Sequence, residues 1–179
     1  MISIPIHQNP IFDGTGAKTV ASQQFSSSPI FYLADARGTN VVRTITIPSG
    51  KGVLIPVMVV EVSDKERPGE PLDVIAKTDQ DSVTDLYLNI NGNVYDDTFL
   101  REYRIPAPTA PFDVEFPDNP IYYASPGKSK AVADGYYIIT EVLPEGNHEI
   151  RFKSSLACQG ANCFEPHFNT DVTFLITVR

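Results

Sequence analysis

The sequence predicts an all-β protein, folded as a two-sheet antiparallel β-sandwich of jelly-roll or immunoglobulin-like topology with one short helix near 71–79. Three observations lead there. Val and Ile together number 32 against 9 Leu, and 13 Thr, 8 Tyr and 10 Phe accompany them; β-branched and aromatic side chains suit a pleated, half-buried surface. The 15 Pro lie between apolar runs, as in a chain of many short strands. Turn-forming residues separate those runs at short intervals. With 179 residues, 42% of them hydrophobic, the chain suffices for one domain over 1–179.

In chain order, Ile2, Ile4 and Ile6 alternate with Ser3 and Pro5, a period-two pattern. The internal proline confines such a strand to an edge. Residues 8–28 are rich in Gly, Ser, Thr, Gln and Asn and read as a long flexible loop, so 1–28 is an edge strand plus loop ahead of a core at 29–179. Strands are predicted at 30–34, 41–47, 53–62, 84–90, 93–95, 103–105, 112–116, 136–143, 148–153 and 172–178. Pro48–Gly52, Asn91-Gly92 and Pro144–Asn147 are turns that favour antiparallel pairing of sequential strands, with Asn91-Gly92 carrying the type I′ signature. Pro71 suits the first position of a helix in which Leu72, Ile75 and Ala76 share one face. In the last strand Val172, Phe174, Ile176 and Val178 point one way, while Leu175 on the other face implies partial cover there.

Charge narrows the partners. Lys and Arg total 14 against 22 Asp and Glu, a net charge of −8, so the chain lacks the basic footprint of nucleic-acid binding. Its acidity also disfavours anionic lipid. The longest apolar run, 53–62, is far below the ~20 residues that span a bilayer. The N-terminus MISIPIHQNP has no positive n-region, apolar h-region or cleavage site, so the protein is either cytoplasmic or a mature form. Cys158 and Cys163, in SLACQGANCF, fit a short disulfide of an oxidising compartment and hence a secreted or cell-surface protein. Free thiols are the alternative. A metal there lacks ligands, because zinc takes four and only His167 is near in sequence.

Catalytic motifs are sparse. FDGTGAKT lacks the adjacent Gly-Lys of a phosphate-binding P-loop, and Ile11 stands where a haloacid-dehalogenase-like nucleophile motif needs an Asp; both read as turns. There is no G-x-S-x-G elbow, and any catalytic triad would need His7, His148 or His167. His148 and His167 could meet only across strands. Carboxylates are more concentrated: Asp79, Asp81 and Asp85 after the helix, and Asp96 and Asp97 after the hairpin, are oxygen ligands of the kind calcium uses. Solvated turns and helix caps are the default for them. Among the paired tyrosines Tyr122-Tyr123 and Tyr136-Tyr137, one ring of each pair faces outward; Tyr123, Tyr137 and His148 form a candidate ligand surface that could stack on a sugar.

The phrases TIPSGKGVLIPVMVVE, DSVTDLYLNINGN, AVADGYYIITEVLPEGNHEIRF and FNTDVTFLITV, in this order over about residues 30–179, resemble a group of poorly characterised, often exported bacterial and archaeal β-rich proteins. That resemblance implies an extracellular or cell-envelope β domain and carries over no functional residue. Three functions follow as expectations: a non-catalytic exported domain that binds a surface ligand or protein partner or serves a structural role, a self-assembling subunit that pairs through its N-terminal strand, and a carbohydrate hydrolase.

Overall fold

The computed structural model describes residues 3–22, 27–108, 110–120 and 124–179. Its regular elements in chain order are a 3-10 turn at Pro10–Phe12, then α1 (Ala17–Ala21), β1 (Ile30–Tyr32), β2 (Gly38–Ile47), β3 (Gly52–Ser63), α2 (Leu72–Asp81), β4 (Val83–Ile90), β5 (Asn93–Tyr95), α3 (Asp97–Arg101), β6 (Arg104–Ile105), β7 (Phe112–Phe116), β8 (Gly127–Ile139), β9 (Gly146–Ala157) and β10 (His167–Val178). Each of the ten strands overlaps one predicted from the apolar pattern.

Two five-stranded sheets result, and they form no closed barrel. One runs β1-β3-β8-β6, with β7 also on β8; the other runs β2-β10-β9-β4-β5. Both are mixed, which corrects the antiparallel expectation. β1 lies parallel to β3, and β2 parallel to β10, over Val41↔Val172 to Ile47↔Val178. The cause lies in two turns. Residues 48–51 and 140–145 carry the chain from one sheet to the other and close no hairpin, so β2 does not pair with β3 nor β8 with β9, and β2 lies beside β10 instead. Asn91-Gly92 behaves as its sequence demands: both residues have positive φ, 53° and 88°, and β4 pairs back on β5.

The inner faces share one buried cluster. Ile55, Val57, Val60 and Val62 of β3 meet Leu86 and Leu88 of β4, Ile150 and Phe152 of β9, and Val172, Phe174 and Ile176 of β10. Leu175, on the opposite face of β10, is 41% exposed, so that face is more open than its leucine suggests. β3 is buried along most of its length, as a strand covered on both sides must be. α2 lies against β3 and β8 through Leu72, Ile75 and Ala76, and Pro71 precedes the helix as its N-cap.

The N-terminal region departs from its prediction. Residues 3–8 run through turns instead of an edge strand, and 9–21 are folded onto β2 instead of looping freely. Arg43 explains why. Its side chain is fully buried and donates from Nε to Asp13 O (2.7 Å), from Nη2 to Pro10 O (2.6 Å), and from Nη1 to Ala34 O (2.6 Å) and Asp35 O (3.0 Å). Its guanidinium lies 5.4 Å from the Phe174 ring centroid. The Asp13 carboxylate in turn accepts from Thr15 N and Oγ1, Gly16 N and Lys18 N, which shapes the turn into α1. Gly16 is required there, since a Cβ would stand 2.6 Å from Ile45 Cγ2 and φ is +99°.

Candidate functional site

Each carboxylate proposed for calcium is placed by a structural partner or lies apart. Asp81, at the C-terminal end of α2, pairs with Lys77 and with Arg104 Nη1 (2.6 Å), and these cations hold its pKa below the usual range against the opposing effect of burial. Asp96 caps α3 by accepting from Phe99 N (3.0 Å). Asp97 pairs with Arg101 Nε at 2.6 Å. Asp85 is an exposed residue of β4. Asp79 alone is deeply buried, on the inner side of α2.

The histidines stay apart. His167 pairs with Ala157 on β9 while His148 lies nine residues further back along that strand, so about 30 Å separates them at the usual rise of a strand. His148 is engaged with its surroundings: Nε2 is 2.8 Å from Pro144 O, which only accepts, and Nδ1 is 2.9 Å from Asn91 Nδ2. The Nε2–H tautomer satisfies both contacts, and the ring ties the β4–β5 hairpin tip to the β8–β9 connection. Tyr123 lies outside the described residues. Tyr137 is half-buried, with its ring edge packed over Gly135, where a Cβ would meet Tyr137 Cε2 at 2.9 Å. Burial, followed by the charges of Asp134 and Asp35, pushes its phenol up to about 12.

Two other constellations emerge. The first is an aromatic strip on the rim of the β2-containing sheet. Tyr95 at the end of β5, Phe99 in α3 and Tyr103 just after it stand in a row, with ring centroids 5.2 and 4.9 Å apart and planes tilted by 39° and 38°. Phe99 is 38% exposed and Tyr103 43%. The Asp96 cap and the Asp97–Arg101 pair hold the helix, and Leu100 anchors it from below with no exposure. The sequence carried a signal for this strip in the four-residue spacing Tyr95, Phe99, Tyr103, although only Phe99 lies within α3 and the two tyrosines flank it.

The second is buried. Cys158 and Cys163 form the expected disulfide, which closes the start of the β9–β10 connection. Asp79 reaches it from α2, and its oxygens accept from Phe164 N (3.0 Å) and Glu165 N (2.9 Å). Burial raises its pKa against the lowering effect of those two N–H groups. No signal in the sequence joins residue 79 to residues 158–163, because the contact depends on how the helix sits on the sheet. Arg104, by contrast, forks onto Asp134 at 2.8 and 2.9 Å, an ion pair that fixes β6 to β8.

Among the described residues no helix is long and apolar enough to cross a membrane. Comparison of the chain with protein-family models, with curated proteins and with solved structures returned no match.

Proposed function

We propose that this chain is a non-catalytic β-sandwich binding module of an exported or cell-surface protein, and that the Tyr95–Phe99–Tyr103 strip is its ligand face. The observation that carries the reading is the row of three rings that runs from the end of β5, across the capped and anchored α3, to the residue just before β6, with two of them over a third exposed. Contiguous exposed apolar patches mark interaction sites, whereas single exposed apolar residues do not. The two sheets over one apolar core support the sandwich reading, with the jelly-roll or immunoglobulin-like connection as its finer form. The disulfide supports an oxidising compartment.

The ligand class follows from what surrounds the rings. Exposed Asn93, Asp96 and Glu102 flank them and offer hydrogen-bonding groups to hydroxyls, while the ring faces suit the C–H faces of sugars. A net charge of −8 argues against polyanionic glycans. A neutral oligosaccharide meets both conditions.

Glycan-array binding of the labelled protein tests this. Retention on neutral glycans is expected, weakened at least tenfold in F99A/Y103A, with an unchanged circular dichroism spectrum. Equal binding by that variant, or no retention on any glycan, would overturn the reading. Turnover of a bound glycan would overturn its non-catalytic part.

A further inference from the structure

We infer that Cys158, Cys163 and Asp79 are a latent metal site: when the disulfide is reduced, two thiolates and one carboxylate take a zinc-type divalent cation, which then holds the 158–166 loop in place of the sulfur–sulfur bond. The inference is independent of the glycan reading.

The geometry brings the ligands together. One ligand atom from each of the three residues lies within 4.8 Å of the others, and the residues are 0%, 3% and 8% exposed for Asp79, Cys158 and Cys163. Reduction lets the sulfurs part to about 3.8 Å, the separation of two thiolates on a tetrahedral zinc at about 2.3 Å. The surrounding loop does not depend on the disulfide alone. Cys158 N donates to Pro166 O (2.9 Å), and Asp79 fixes Phe164 and Glu165 through their N–H groups. Each Asp79 oxygen spends one acceptor position on the backbone and keeps another for a cation. The described ion pairs include none to Asp79, so a buried carboxylate faces the sulfurs without a direct counter-charge. Arg67, whose Nη2 donates to Cys163 O, partly offsets the negative charge of the ligands.

Thiolates select zinc over calcium or magnesium. A dithiol reductant supplies the electrons: it becomes a disulfide as the protein disulfide becomes two thiols, and the metal releases both thiol protons to water on binding. Three protein ligands leave the fourth position to water.

The test is zinc titration of reductant-free protein under argon, in competition with a chromophoric chelator. One zinc per reduced chain is expected and none per oxidised chain. Asp79→Asn should weaken binding at least tenfold, and C158S/C163S should abolish it. Cobalt in place of zinc should give a thiolate charge-transfer band in the reduced protein only. Asp79→Cys should intensify that band by adding a third thiolate, which keeps the test decisive if Asp79→Asn fails to fold. Uptake by reduced protein no greater than by C158S/C163S would remove the site. An unchanged cobalt spectrum in Asp79→Cys would remove Asp79 from it.

Discussion

Arg43 and Glu61 are both withdrawn from water, with opposite results. Arg43 replaces its hydration with four backbone carbonyl bonds, so its charge is solvated by the chain itself. Glu61 has both carboxylate oxygens buried without a hydrogen-bond partner among the described residues; burial raises its proton affinity, and Glu66 beside it raises it further. Removing the arginine takes a donor from four carbonyls of buried residues at once, of which Pro10 O keeps the Asp13 N–H. R43M is therefore expected to lower unfolding free energy by about 3–5 kcal/mol, measured by urea denaturation; a loss under about 1 kcal/mol would contradict the clamp. The sequence held half of this. Val41, Arg43, Ile45 and Ile47 occupy alternate positions of β2, so the inward direction of residue 43 follows from period two, whereas the carbonyls that receive it come from residues 10, 13, 34 and 35 and leave no local pattern.

At the scale of elements, apolar alternation located the strands and their faces, because burial acts on each side chain separately. Partners are another matter. A Pro-Ser-Gly turn permits a hairpin or a step between sheets with equal local chemistry, and β2 goes to β10 because its inward residues complete the core there. The short helices were hidden for a related reason: α1 and α3 have five residues each, too few for a period, and hold only by caps and tertiary contact. Thus α1 depends on its docking at Gly16. G16A forces a Cβ against Ile45 Cγ2 at 2.6 Å and a left-handed φ on alanine. Amide exchange across residues 9–21 should accelerate at least tenfold in G16A while the β9–β10 ladder keeps its protection. Uniform acceleration in both regions would instead make the N-terminal segment part of the global unfolding unit.

For the molecule as a whole, the carboxylates divide into two groups that set stability against pH. Asp13, Asp81 and Asp171 have lowered pKa values, so their contribution is present above about pH 3.8 and is lost as pH falls through the folded values. Burial lifts Asp35 to about 6 and Glu61 to about 9, and also raises Glu66 and Asp79. For these the folded state binds more protons than the unfolded one. Their favourable contribution is complete below the unfolded pKa, near 3.8 for Asp and 4.5 for Glu, and disappears as pH climbs to the folded values. The two groups therefore intersect between about pH 4 and 5, close to the isoelectric point of about 4.8, where self-repulsion is also least. Calorimetry from pH 3 to 9 should place the maximum Tm between about pH 4 and 5, with a steady fall toward pH 9. E61Q should melt higher than the wild type at pH 8, match it more closely at pH 5, and flatten the alkaline arm, since glutamine at this position has no charge to desolvate. A wild-type Tm that is level or rising between pH 5 and 8 would mean that Glu61 gains a cation or water partner in the folded protein, and E61Q would then lose its advantage.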